Sequence, residues 1–346
     1  MLSPIEGFCH FARKRSLISY GQTRLTERKK WVDVLRAIAM VLVVYGHRVS
    51  GWSEYFVLTS PVKIPLFFAI TGYVFNDAGG NPKIFIRKLW RTVIIPWIII
   101  AGLPYVAATP IKGLTFFKSN LTDVLTGVNY WYMPCCIVAE IIWFFILKYA
   151  RTEWLKAIIA VIMFAVGIML YKHGILSIFM VNRALSVQIF LYIGRTFCIN
   201  EEAIVRKLER LPVLLGGTFL YILLGVFSLV FYPGQSMDVH LCRYYNILIC
   251  GPMIWSGIYL LTVFVMRYMN DYPKWLVLIG QNTLVIYLLH SYCIKVLVKV
   301  FDILHIPVNR FTNIFITLIV CTAGTLISLI LHRFFPELMG KKRISR

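Results

Sequence analysis

Three polar side chains interrupt the first strongly apolar segment and could do chemistry there. This segment, WVDVLRAIAMVLVVYGHRVS, carries Asp33, Arg36 and His47. His47 follows Arg36 by eleven positions, which corresponds to about three helical turns and an axial distance of about 16 Å. Both side chains therefore project from one face of a helix. An imidazole there can exchange protons near working pH, and a guanidinium can orient an anionic ligand or stabilise developing charge.

A second set of polar residues forms a stripe in the segment GQNTLVIYLLH, residues 280–290. Thr283, Tyr287 and His290 lie at positions i, i+4 and i+7, which places them on one face of an otherwise apolar helix. Because both apolar segments run in the same direction through the predicted topology, we expect His47 and His290 to lie at similar depth. A pair of structural interhelical hydrogen bonds is the alternative interpretation.

The simplest interpretation of the first segment is also structural. Asp33 and Arg36 can form an i, i+3 ion pair that extends to the membrane interface, with His47 as a satisfied interfacial histidine. Glu140 and Arg195 also lie in apolar segments. They are candidates for a second, internal ion pair.

A third group of residues is basic. The stretch PKIFIRKLWRTVIIPW has Arg87 and Arg91 at i, i+4 on one helical face, with Lys88 beside them. Arginine offers a fork of donors that suits phosphate oxygens, so the stretch predicts a phosphate clamp. A basic loop is also a topology signal, and that alternative stays open.

Composition identifies the elements that must position these residues. The chain has 346 residues, of which 59% are apolar and only 15% charged, and its net charge is +21. Soluble domains carry about a quarter charged residues, which argues against a soluble enzyme. Nucleic-acid-binding proteins are basic but do not contain apolar runs of about 20 residues. The composition predicts an all-α, polytopic membrane protein and no nucleic-acid partner.

Runs of roughly 17 to 25 apolar residues predict about ten transmembrane helices. They lie near residues 32–50, 60–76, 92–109, 131–147, 155–171, 183–199, 212–232, 245–265, 275–297 and 311–331. Pro61, Pro65 and Gly72 interrupt the second, which we expect to be broken or kinked where it lines a cavity. The ninth could continue past His290 as a broken or interfacial helix.

The distribution of basic residues predicts the orientation of these helices. With both termini in the cytoplasm, 24 of the 36 Lys and Arg residues fall in cytoplasmic segments, as the positive-inside rule requires. We therefore divide the chain into a basic cytoplasmic tail (1–30), one membrane domain (31–333) and a second basic cytoplasmic tail (334–346). The tails and loops are too short to fold alone.

The ordered motifs resemble those of the acyltransferase-3 family of bacterial membrane O-acyltransferases, which includes fucose 4-O-acetylase-like sugar O-acetyltransferases. Arg36 and His47 are similar to the R-x10-H motif of the family. PLFFAITGY (65–73) is similar to its FF-x-x-SG segment and GQNTLVIYLLH to its G-x-x-S-x-x-x-Y-L-L-H segment, each with threonine in place of serine. WYMP (131–134) resembles an aromatic WYL-like segment, and Arg87 to Arg91 resembles the cytoplasmic arginine motif with R-x-x-x-R spacing.

This resemblance implies a membrane enzyme that moves an acetyl or other acyl group from acetyl-CoA to a carbohydrate hydroxyl without a metal. The bacterial inner membrane would be its location, and the lipid bilayer, acetyl-CoA and a polysaccharide or lipid-linked glycan its partners. Its site residues would fall into three sets. The catalytic set would be His47, Arg36 and His290; the coenzyme set Arg87, Lys88 and Arg91; and the substrate-binding set Asp33, Phe68, Trp131, Tyr132, Thr283 and Tyr287.

Two other classes also use polar residues within many spans. A transporter or flippase for lipid-linked sugars would do so, but the sequence has no repeated halves, which many transporters show. A non-catalytic scaffold has no need for two histidine stripes. The acceptor sugar, the position acylated and the oligomeric state stay open.

Overall fold

The computed structural model describes residues 29–49, 54–269 and 271–340, and this part of the chain is helical without a strand. Most of both predicted basic tails, residues 1–28 and 341–346, lies outside the described residues. Eight described helices are long and apolar enough to cross a membrane. The prediction of an all-α, multi-pass membrane protein is confirmed.

The helices follow one another along the described chain with short connections. The first half contains α1 (Lys30–Gly46), α2 (Glu54–Val74), α3 (Pro82–Leu89), α4 (Ile95–Thr126), α5 (Tyr132–Tyr149), α6 (Glu153–Lys172) and α7 (Val181–Ser186). The second half contains α8 (Gln188–Ile199), α9 (Glu201–Leu208), α10 (Leu211–Phe231), α11 (Ile247–Tyr268), α12 (Lys274–Gln281), α13 (Thr283–Ile303) and α14 (Arg310–Phe334).

Helix α1 lies at the centre of the bundle. Ten of its 17 residues are buried, and it contacts α2, α11, α12, α13 and α14. Because neighbouring helices surround it, α1 can carry Asp33 and Arg36 without exposing them to lipid. It is therefore less apolar than α6 and α10, which bury few of their residues.

Helix α2 is continuous from Glu54 to Val74, although Pro61 and Pro65 lie inside it. Of the two predicted alternatives, a broken or a kinked helix, the break was wrong. Gly72 does not interrupt it: a Cβ at Gly72 would lie 2.0 Å from the Leu191 carbonyl oxygen, and one at Gly194 would lie 1.7 Å from the Ala69 carbonyl oxygen. The two glycines let α2 and α8 cross with their backbones in contact.

The predicted ninth span is two helices with a break at Asn282. The buried Asn282 side chain donates to the Leu278 carbonyl at 2.6 Å, and its oxygen accepts from the Ser328 hydroxyl at 2.6 Å. These bonds stabilise the interruption inside the bundle. Just before it, a Cβ at Gly280 would lie 1.8 Å from the Asp33 carbonyl oxygen, so glycine lets α12 cross α1 closely.

The basic stretch forms an amphipathic helix that leads directly into the third predicted span. Asn81 caps α3 by accepting hydrogen bonds from the amides of Lys83 and Ile84. Phe85 stacks on Phe144 of α5 with ring centroids 4.7 Å apart, which anchors α3 to the bundle. A π-helical turn, Trp90–Ile94, then joins α3 to α4.

The predicted ion pair between Glu140 and Arg195 is wrong. Arg195 instead donates to both carboxylate oxygens of Glu153, at 3.1 Å and 2.9 Å. Glu153 lies in the first turn of α6, which packs against α8, the helix that carries Arg195. The Glu140 carboxylate accepts from the Cys136 thiol at 3.6 Å.

Candidate functional site

The C-terminal end of α1 and the middle of α13 bring His47 and His290 together. Their ring centroids are 4.7 Å apart, with the rings tilted by 50°. His290 is only 5% exposed, whereas the side chain of His47 is accessible. The prediction that the two histidines reach the same depth is confirmed, and their contact makes a paired imidazole site.

Hydrogen bonds define the tautomer of the buried histidine. His290 Nδ1 lies 2.5 Å from the Tyr287 carbonyl oxygen, which can only accept, so Nδ1 carries the proton. Nε2 lies 3.3 Å from the Ser291 hydroxyl, which donates to it in the neutral ring. These contacts hold His290 in a defined orientation.

An apolar cavity of about 190 Å³ lies beside this pair, because Val43 and Tyr287, which line it, each precede one of the two histidines by about one helical turn. Five helical segments line it. Its wall comprises Met40, Val43, Ile64, Phe67, Val93, Tyr132, Met133, Cys136, Thr283, Leu284 and Tyr287. Three residues predicted to bind substrate, Tyr132, Thr283 and Tyr287, therefore share one cavity.

Aromatic side chains form one wall of this cavity. The Tyr132 ring lies 5.4 Å from the Tyr287 ring and 5.2 Å from the Phe68 ring, measured between centroids. Phe68 is fully buried behind Tyr132, whereas its neighbour Phe67 lines the cavity. The sequence motif points to the correct turn of α2, and the structure identifies Phe67 as the lining residue.

A basic segment adjoins the cavity at Val93. Val93, which lines the cavity, belongs to the same π-helical turn as Arg91. The side chains of Arg87, Lys88 and Arg91 are exposed. Arg36 and Lys88, from α1 and α3, both lie within electrostatic range of the Glu140 carboxylate, one turn beyond the lining residue Cys136.

Asp33 and Arg36 form the i, i+3 ion pair, with 3.6 Å between Arg36 Nη1 and Asp33 Oδ1. The other carboxylate oxygen of Asp33 accepts from Gln281 Nε2 at 3.3 Å. Asp33 is 1% exposed, and both oxygens have partners within the protein. These contacts connect α1 to α12 and keep Arg36 near the N-terminal end of α1, away from His47.

An ordered segment between α10 and α11, residues 232–246, covers another part of the bundle. His240 stacks on Trp131 with ring centroids 4.7 Å apart. Its carbonyl oxygen accepts from Arg183 Nε at 2.6 Å. Burial and the Arg183 guanidinium lower the pKa of His240, opposed by Asp238. Trp131 is thus fixed by a contact that sequence periodicity does not predict.

Lys63 is a further polar residue beside the histidine pair. Its Nζ would lie 3.2 Å from a Cβ at Gly46, the residue before His47, and it lies 4.6 Å from the Phe56 ring centroid. The Asp238 carboxylate is within its electrostatic range. The position of Lys63 inside the second predicted span is a signal for a polar site residue, and the sequence analysis missed this residue.

The family model for an acyltransferase domain, acyltransferase-3, matches residues 29–333. The chain belongs to the acyltransferase-3 family. No curated protein and no solved structure matches the chain.

Family membership makes the protein a membrane acyltransferase and supports that class over the transporter alternative. The histidine pair and the apolar cavity are therefore the candidate active site of this acyltransferase. In the described residues, His, Cys, Asp and Glu form no group of three that could hold a metal ion.

Proposed function

We propose that this acyltransferase transfers an acetyl group from acetyl-CoA to a hydroxyl of a cell-surface carbohydrate or lipid-linked sugar at the bacterial inner membrane. The observation that carries the proposal is the His47–His290 pair beside an apolar cavity that adjoins a basic segment at Val93. A donor with a charged head and a long, narrow arm fits that arrangement.

The donor would bind with its phosphates at Arg87, Lys88 and Arg91. These side chains are exposed, and arginine binds phosphate oxygens through two parallel hydrogen bonds. The pantetheine arm would enter the cavity past Val93 and bring the thioester toward Tyr287. Arg36 lies nearer this end and would orient the coenzyme.

The acyl transfer itself needs a base and donors for the oxyanion. His47 takes the proton from the acceptor hydroxyl as that oxygen attacks the thioester carbon. The carbon–sulfur bond breaks, and the coenzyme thiolate leaves and takes the proton back from the His47 imidazolium. His290, held in one tautomer, fixes the orientation of the pair, and the hydroxyls of Thr283 and Tyr287 donate hydrogen bonds to the oxyanion or acceptor.

The test of the base is His47→Ala with His173→Ala as a matched control. His173 is an exposed histidine that follows α6, so its loss removes an imidazole without touching the cavity. With radiolabelled acetyl-CoA and membrane glycan extract as acceptor, we expect transfer to fall at least about 100-fold in His47→Ala. The His173→Ala variant should retain wild-type transfer. Retained transfer in a folded His47→Ala protein would remove His47 from the mechanism.

The test of the donor site is acetyl-CoA affinity. Replacing Arg87 and Arg91 together by Gln should weaken it by about 10-fold or more, because two charge-assisted hydrogen-bonding groups are lost. Arg151→Gln removes an exposed arginine elsewhere on the predicted cytoplasmic face and should leave the affinity unchanged. Equal acetyl-CoA affinity in the double variant and the wild type would indicate that the basic stretch sets the membrane topology and does not bind the donor.

A further inference from the structure

A second, larger cavity of about 520 Å³ opens beyond the histidine pair, at the end of the bundle where α13 finishes. It is a groove on the surface and is separate from the apolar cavity that would hold the donor. We refer to it as the terminal groove. Its lining includes Arg48, Ile294, Lys295, Val298, Lys299 and Asp302.

Helix α13 connects the three parts of the candidate site in order. Tyr287 lines the apolar cavity, His290 contacts His47, and Ile294 lines the terminal groove. Because residues three or four apart lie on one helical face, these side chains form one continuous stripe. Val298 extends the stripe further into the groove. A molecule in the terminal groove therefore contacts the same face of α13 as the His290 imidazole, on the side opposite the apolar cavity.

The cations of the terminal groove lie beside this stripe of α13 side chains. Arg48 directly follows His47, and its Nε donates to Asn313 Oδ1 at 3.0 Å while Asn313 Nδ2 donates to the Arg48 carbonyl at 3.3 Å. This reciprocal pair fixes the arginine and leaves its two terminal nitrogens for a ligand. Lys295 lies about 8 Å beyond His290 along the helix axis.

The balance of charge in the groove favours an anion. Lys299 pairs with Asp302 at 2.7 Å, so these two charges cancel. Arg48 and Lys295 have no carboxylate partner among the residues that the structure describes. Two cations beside apolar side chains of α13 suit a ligand that joins a phosphate to an apolar or sugar group.

We propose that the terminal groove binds a phosphate group of the acceptor substrate, so that the hydroxyl to be acylated meets His47. This inference rests on the proposed function and defines its acceptor class as a phosphate-bearing glycan. The phosphate could belong to a lipid carrier or to the glycan itself. In both cases Arg48 and Lys295 are specificity-determining residues outside the donor cavity.

The test measures binding to the full chain in phosphatidylcholine nanodiscs. The probes are farnesyl phosphate, glucose 1-phosphate and uncharged farnesol. We expect at least one phosphate probe to bind, and Arg48→Gln and Lys295→Gln each to weaken that binding by about 10-fold. Binding of farnesyl phosphate alone supports a lipid-borne phosphate, and binding of glucose 1-phosphate supports a phosphate on the glycan.

Matched variants separate this site from general charge effects. Lys172→Gln removes an exposed lysine at the C-terminal end of α6 and should bind the phosphate probes like the wild type. Arg48→Lys keeps the charge but not the fork, and it should retain part of the affinity. The proposal is overturned if Arg48→Gln and Lys295→Gln bind like the wild type, or if farnesol binds as tightly as farnesyl phosphate.

The probes also distinguish this proposal from the proposed function. Failure of acetyl-CoA to bind the wild type would refute the donor assignment and would leave phosphate binding at Arg48 as an independent result. Failure of the phosphate probes, with acetyl-CoA still bound, would refute the groove alone. Lys295 is exposed and its replacement leaves the core intact, so its variant keeps the test informative if Arg48→Gln does not fold.

Discussion

Helices α2 and α10 are both 21 residues long, yet they occupy opposite environments. α2 buries eleven of its residues, contains two prolines and a lysine, and lines the apolar cavity. α10 contains no charged residue and buries only Leu214, Gly225 and Ser228. Lipid tails are as apolar as leucine, so a helix that faces lipid must be apolar throughout. The more polar helix is therefore the inner one, and polarity in a long apolar segment indicates where the site is.

The largest difference between α2 and α10 should appear when one glycine in each helix is replaced by leucine. Gly72→Leu in α2 would place side-chain atoms inside the α8 backbone, since even a Cβ lies 2.0 Å from the Leu191 carbonyl oxygen. Gly216→Leu in α10 meets open space within 4 Å. We expect the first variant to lose folded, monodisperse protein in size-exclusion chromatography and the second to elute like the wild type. Equal behaviour of the two would contradict the close crossing of α2 and α8.

A second contrast concerns aromatic residues on the same two helices. Phe67 lines the cavity on α2, whereas Phe219 on α10 is 67% exposed toward the lipid. Phe67→Trp fills part of a cavity of about 190 Å³ and should lower kcat/KM for the acyl donor by about 10-fold, equivalent to about 1.4 kcal/mol. Phe219→Trp should keep wild-type kinetics. Unaltered kinetics in Phe67→Trp would place the donor elsewhere.

The central ion pair should matter more than the peripheral one. Asp33→Asn removes the carboxylate charge from a side chain that is 1% exposed and interacts with Arg36 and Gln281. We expect a loss of about 1–3 kcal/mol in the free energy of unfolding, measured by denaturant titration in micelles. A loss below about 0.5 kcal/mol would show that α1 does not depend on this pair.

The smallest effect should be at the Glu153–Arg195 pair. Its two side chains are 43% and 30% exposed, so burial strengthens their interaction little. A double-mutant cycle with Glu153→Gln and Arg195→Gln should give a coupling of about 0.2–1 kcal/mol. A coupling above about 2 kcal/mol would mean that this pair behaves like a buried one and would weaken the distinction between centre and periphery.

The sequence predicted the features that follow from periodicity and hydropathy. Helical spacing predicted that His47 and His290 each lie on a polar face, and the apolar runs predicted the long helices. The sequence does not predict which helices are neighbours. It therefore suggested Glu140 as the partner of Arg195, whereas the partner in the structure is Glu153. Phe67 and Phe68 are equivalent in a motif, and only the orientation of α2 decides which one lines the cavity.

Other features depend on contacts between segments that are distant in the chain. Pro61 and Pro65 lack amide donors and therefore predicted a broken helix, but neighbouring helices hold α2 continuous. The stacking of His240 on Trp131 joins residues from two loops, and no local pattern encodes it. Tertiary packing outweighs local propensity at these positions.

The break at Asn282 has an electrostatic consequence. It makes Thr283 the first residue of a helix inside the bundle, and Thr283 and Leu284 both line the apolar cavity. The first backbone N–H groups of a helix carry a partial positive charge, which stabilises a nearby anion by about 0.3–1 kcal/mol or more in buried geometry. The interrupted helix thus places backbone N–H dipoles at the wall of the cavity, without placing another cation within the membrane.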